Sequence, residues 1–98
     1  MAKLTTVYWR DIPAQVIAKE RRDTAKIVLT ERFAEAIDKA AMRAKMAGTD
    51  AYLEQWRREV VNCGKDLQAA VDEAAAKLEH DFDDARLKTL ISNGGNDS

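Results

Sequence analysis

Two rhythms divide the chain. β-Branched and aromatic side chains crowd the first thirty residues, and a period near 3.6 takes over after Thr30. Leu4-Thr5-Thr6-Val7-Tyr8-Trp9-Arg10 reads as a strand. Asp11-Ile12-Pro13 interrupts it, because Pro13 pushes Ile12 out of helical space. Gln15-Val16-Ile17-Ala18-Lys19 resumes the strand pattern, so residues 4–19 predict a hairpin. After the polar link Glu20-Arg21-Arg22-Asp23, Ala25–Leu29 reads as a third strand. Links this short require antiparallel pairing, since a parallel pair needs a long crossover.

From Thr30 onward apolar residues fall at Phe33, Ala36, Ile37, Ala40, Ala41, Ala44 and Ala47, with Glu35, Asp38, Lys39 and Arg43 between them. That spacing predicts a helix over 31–47 with Thr30 as N-cap and Gly48 as its stop. Thr49 or Asp50 can cap a short helix ending near Trp56. Residues 57–63 fit either an extension of that helix or a fourth strand, and Val60-Val61 followed by Gly64 favours the strand. Asp66 can cap a long helix whose stripe is Leu67, Ala70, Val71, Ala74, Leu78 and Phe82. Asp83 or Asp84 can cap a final short helix carrying Leu87, Leu90 and Ile91. The expected fold is α+β: a small antiparallel sheet, built from the N-terminal hairpin and one or two further strands, packed against two main helices. It forms one domain over residues 1–92. Residues 93–98, Asn-Gly-Gly-Asn-Asp-Ser, offer nothing to bury and are expected to be a disordered tail.

Composition narrows the class. The chain has 98 residues, and 46% are hydrophobic, too many for a disordered chain. One cysteine cannot form an internal disulfide. No apolar run reaches the roughly 18 residues of a membrane span, and the first residues lack a signal-peptide pattern. A cytoplasmic protein is expected. Charge is nearly balanced overall but graded. Residues 1–30 carry six basic and three acidic groups, whereas residues 66–98 carry three basic and eight acidic groups. Such a gradient can attract differently charged partners.

Candidate chemistry is sparse. Cys63 sits in a turn before the Asp66 helix, where a thiol can be activated, but the only histidine, His80, lies seventeen residues on. A small thiol-dependent auxiliary protein is therefore one alternative reading. Glu79–Asp83 and His80–Asp84 have metal-ligand spacing on a helix, but nothing else supports a metal site, capping of the final helix by Asp83 or Asp84 is the favoured reading, and no metal or other cofactor is expected. Trp9-Arg10 and Trp56-Arg57-Arg58 interleave rings and cations as single-stranded nucleic-acid binders do. A net charge of −1 and the lack of a long basic stripe disfavour that alternative. No phosphate loop or nucleophile elbow is present, so catalysis is not expected. Tyr8, Trp9, Arg10, Tyr52, Trp56 and Arg57 make the candidate contact surface for a protein partner, since aromatic and arginine anchors dominate interfaces.

Three blocks, in order, resemble a known family: Val7-Tyr8-Trp9-Arg10-Asp11-Ile12-Pro13-Ala14-Gln15-Val16; Glu35–Asp38 through Ala41–Ala44 to Gly48–Leu53 and Trp56-Arg57; and Cys63-Gly64 with Phe82–Leu87. The chain resembles the small bacterial "virulence factor" domain family, which is related to the C-terminal domain of conserved virulence factor C. The resemblance carries no established catalytic residues. It implies an accessory protein, a partner of folate- or corrinoid-dependent one-carbon enzymes.

Overall fold

The computed structural model describes residues 2–46 and 48–96. β1 (Lys3–Trp9), β2 (Ile12–Glu20) and β3 (Asp23–Val28) form an antiparallel meander, and β4 (Trp56–Asn62) returns to pair antiparallel with β1. The sheet order is β3-β2-β1-β4. The ambiguous segment after Trp56 is thus a strand.

Both meander links are two residues long, Arg10–Asp11 and Arg21–Arg22. Such links match the sheet's twist only with left-handed backbone, usually supplied by glycine or asparagine. Here Arg10 and Arg21 take that role, each at φ 54°. The break expected at Asp11–Pro13 therefore moves toward the N-terminus, and Pro13 lies inside β2. It is tolerated there because the register jumps from Val7↔Gln15 to Tyr8↔Pro13 and leaves Ala14 as the extra residue of a bulge. The Ala14 carbonyl accepts from the Leu29 amide at 3.0 Å.

α1 (Glu31–Arg43) buries the stripe Phe33, Ala36, Ile37, Ala40 and Ala41. It ends before the expected Gly48, because Lys45 turns left-handed at φ 59°; Ala47 lies outside the described residues. Thr30 occupies the N-cap position without capping. Its amide and hydroxyl instead donate to Glu79, at 2.9 and 3.0 Å. α2 (Asp50–Glu54) is a single short turn of helix. α3 (Leu67–Asp81) and α4 (Asp84–Ser92) carry the expected caps: Asp66 accepts from the Ala69 amide and Asp83 from the Arg86 amide.

Strand pairing puts Leu4, Thr6, Val16, Ala18 and Ile27 on one face of the sheet. α3 lies against β2 and β3 on that face, and Val16, Ala18 and Val71 are fully buried between them. α1 also packs on β2 and against α4. These two helices close the end of the sheet at the β1–β2 turn, where Trp9, Ile12, Phe33 and Leu90 form the largest buried group. Arg32 ties α1 to α3. It donates to both the carboxylate and carbonyl of Glu79 and to the Phe82 carbonyl.

The expectation that residues 93–98 have nothing to bury does not hold for the glycines. Gly94 and Gly95 are buried. The Gly95 carbonyl accepts from the Asp11 amide at 2.9 Å, and Arg10 Nη1 donates to the Gly94 carbonyl at 2.9 Å. A Cβ on Gly95 would stand 2.7 Å from Trp9 Cζ3, so the close approach of backbone to indole requires glycine. Asp97 and Ser98 lie outside the described residues. Among the described residues no helix is long and apolar enough to cross a membrane.

Candidate functional site

The second face of the sheet is the candidate site. Its side chains follow from the pairing register and form three rows running from β3 to β4. The first is Thr24, Lys19, Lys3 and Asn62; the second is Lys26, Ile17, Thr5 and Val60; the third is Val28, Gln15, Val7 and Arg58. Alternation dictates this segregation, because successive strand residues point to opposite faces. α3 occupies the first face and leaves these rows uncovered by it, although Val7 is itself buried and Gln15 and Val28 border a cleft with α1 and α2. Val28 is 65% exposed and Val60 56%. None of the twelve residues is acidic.

The face ends in an aromatic cluster. Trp9 and Trp56 pair across β1 and β4. Tyr52 of α2 contacts both rings, Trp9 with centroids 5.6 Å apart and Trp56 edge-on at 6.1 Å. Beside them Gln15, Val28, Ile37, Asp38, Tyr52 and Trp56 line a cleft of about 260 Å³. Tyr52 also lines a neighbouring cleft with Met42, so the apolar surface continues onto α1. Leu53 and Met42 are largely exposed. Burial, and after it the Asp38 carboxylate, pushes the Tyr52 hydroxyl above its ordinary pKa.

All six residues of the expected contact surface come together, but they divide into three roles. Trp9 is a core residue, 0% exposed, with its indole N–H bonded to the Tyr52 carbonyl at 2.9 Å. It cannot belong to a contact surface; a large ring at the hairpin end contributes most by filling the space between sheet and helices. Arg10 is a fastener. It donates to Gln55 Oε1 at 3.1 Å and to the Gly94 carbonyl, and its guanidinium lies over the Trp9 ring. Tyr8 and Arg57 point to the α3 side of the sheet. Arg57 stacks over the Tyr8 ring, donates to the Arg10 carbonyl and pairs with Asp11 and Glu59. Tyr52 and Trp56 remain as surface residues beside the bare face. The sequence reading missed Val28, Val60 and Lys26; the signal for them was the alternation within strands, which needs the register before it assigns a face.

Cys63 follows β4 on the α3 side. With Leu4, Ala70 and Ala74 it lines a shallow groove. His80 stands near the opposite end of α3, about 20 Å along the helix from Leu67 at 1.5 Å per residue. The two residues are not brought together. Glu79 is engaged by Thr30 and Arg32, and Asp83 by its cap, so the sequence spacing of those acids serves structure.

The chain belongs to the virulence factor family, whose model matches residues 7–91. No curated protein and no solved structure matches it.

Proposed function

We propose that this member of the virulence factor family is a non-catalytic accessory module that docks a protein partner on its uncovered sheet face. The observation that supports this reading is the apolar surface that Val28, Trp56, Tyr52 and Met42 form around two adjoining clefts at the end of the sheet, with Val60 exposed further along β4. Small domains rarely leave such a patch in water without a binding role. Trp56 at its edge, held by Tyr52, has the size and partial exposure of an interface anchor. Folate- and corrinoid-dependent one-carbon enzymes, the partners implied by the family resemblance, are the class to test first.

The test is affinity capture from the native host at endogenous level, comparing the natural chain with a Val60→Glu variant of unchanged circular dichroism. The reading expects a reproducible protein partner that Val60→Glu loses. Capture of the same proteins by both chains, or of none by either, overturns it.

A further inference from the structure

We infer that the partner of the bare sheet face presents an acidic surface: carboxylates set around an apolar centre. This deepens the docking role proposed above and rests on it. The face carries Lys3, Lys19, Lys26 and Arg58 and no carboxylate. Yet Asp and Glu outnumber Lys and Arg in the chain, 17 to 16. The acids lie elsewhere, among them Asp72, Glu73, Glu79 and Asp81 on α3, Asp84 on α4 and the caps Asp66 and Asp83. The charge gradient of the sequence thus becomes a charge difference between layers of the fold.

Three details sharpen the argument. Lys3 and Lys19 stand directly opposite one another on β1 and β2. Like charges at that position destabilise a sheet, and an anionic neighbour would relieve the repulsion. Lys19, Lys26 and Arg58 form no ion pair among the described residues, so their charges are not spent internally. Lys3 and Lys19 on the central strands and Lys26 and Arg58 on the edge strands stand around the half-buried Ile17 and Thr5, with Val60 at the β4 edge, so charge borders the less polar middle of the face, as at the rim of protein interfaces. Rim charges of one sign steer a partner of the other sign and set the salt dependence of association.

The same surface argues against other occupants. A second copy stacked face to face would oppose four cations with four. A single-stranded nucleic acid needs stacking rings along its path, and the twelve residues of this face include none; Trp56 and Tyr52 stand only at its end.

The experiment places the photo-crosslinking residue benzoylphenylalanine at position 60 of the full chain, expressed in its native host. The crosslinked peptides are identified by mass spectrometry. A second chain adds Lys26→Glu and Arg58→Glu, and a control adds Lys88→Glu on α4; circular dichroism verifies that each folds. The expected result is a crosslink to an Asp/Glu-rich segment of another protein. Its yield falls about ten-fold with the double charge reversal and is unchanged by Lys88→Glu. Three results overturn the inference while leaving a protein-docking module intact: a partner segment without acidic residues, a protein crosslink insensitive to the double reversal, or a crosslink to a second copy of this chain. Crosslinks to nucleic acid or lipid, or none at all, overturn both the inference and the docking role.

Discussion

Replacing Gly95 with alanine tests how the C-terminal segment closes the fold. Gly95 sits at φ +98°, a conformation that costs an L-residue about 1 kcal/mol or more. The new methyl would also stand 2.7 Å from Trp9 Cζ3 and 3.1 Å from Cε3. Trp9 cannot retreat, because it is wholly buried and its indole N–H is held by the Tyr52 carbonyl. Forcing a methyl into a packed site costs roughly 1–3 kcal/mol. The sum is about 2–4 kcal/mol. Gly48→Ala is the internal reference: its φ is +75°, and a Cβ there meets nothing within 4 Å. It should cost only the backbone contribution, about 1 kcal/mol. In a domain of this size each kcal/mol lowers Tm by roughly 4–8 °C, so the two variants should separate by at least about 4 °C. Urea and thermal unfolding followed by far-ultraviolet circular dichroism measure both. Equal destabilisation of the two variants would refute the seating of Gly95 against Trp9.

Other expectations follow from the same contacts. Burial pushes the Glu79 carboxyl up, but hydrogen bonds from Thr30 and the Arg32 guanidinium outweigh it and hold its pKa below the ordinary 4.5. The folded state therefore binds the Glu79 proton less tightly than the unfolded chain does, so this contribution is complete above about pH 4.5 and fades as pH falls below it. Glu79→Gln should cost about 1–3 kcal/mol at pH 7, with the difference from the natural chain shrinking on acidification in urea titrations; a pH-independent difference contradicts the assignment. Asp66→Ala and Asp83→Ala each remove a helix cap and should each cost about 1 kcal/mol, and no loss in either would contradict the caps. Iodide should quench Trp56 and spare Trp9, so a Trp56→Phe chain should be nearly unquenchable; strong quenching of that chain would place Trp9 in water.

The period change at Thr30 was legible because strand and helix place apolar residues at different intervals, and α1 begins one residue later as that change predicts. The caps at Asp66 and Asp83 were legible because short acceptor side chains before an apolar stripe have one obvious use. The hairpin turn was not, because arginines occupy its left-handed position. Arg10 tolerates it while its side chain is fastened to Gln55 and Gly94, a contact with residue 94 that no local pattern reveals. Likewise residues 93–98 read as a tail because glycines have no side chain to bury, whereas the value of Gly94 and Gly95 lies in letting backbone approach an indole and an arginine. The candidate surface was half legible. Aromatic and arginine content picked out residues that do gather at one end of the sheet, but only the register separates Trp56 and Val60 on the bare face from Tyr8 and Arg57 on the covered side.

The central claim, that one sheet face is packed and the other bare, is open to a single measurement. With methyl-labelled Val, Leu and Ile, a soluble gadolinium chelate should bleach the Val28 and Val60 methyl resonances and spare those of Val16 and Val71. Protection of Val28 and Val60 equal to that of Val16 would mean that this face is covered in solution, and would contradict the account.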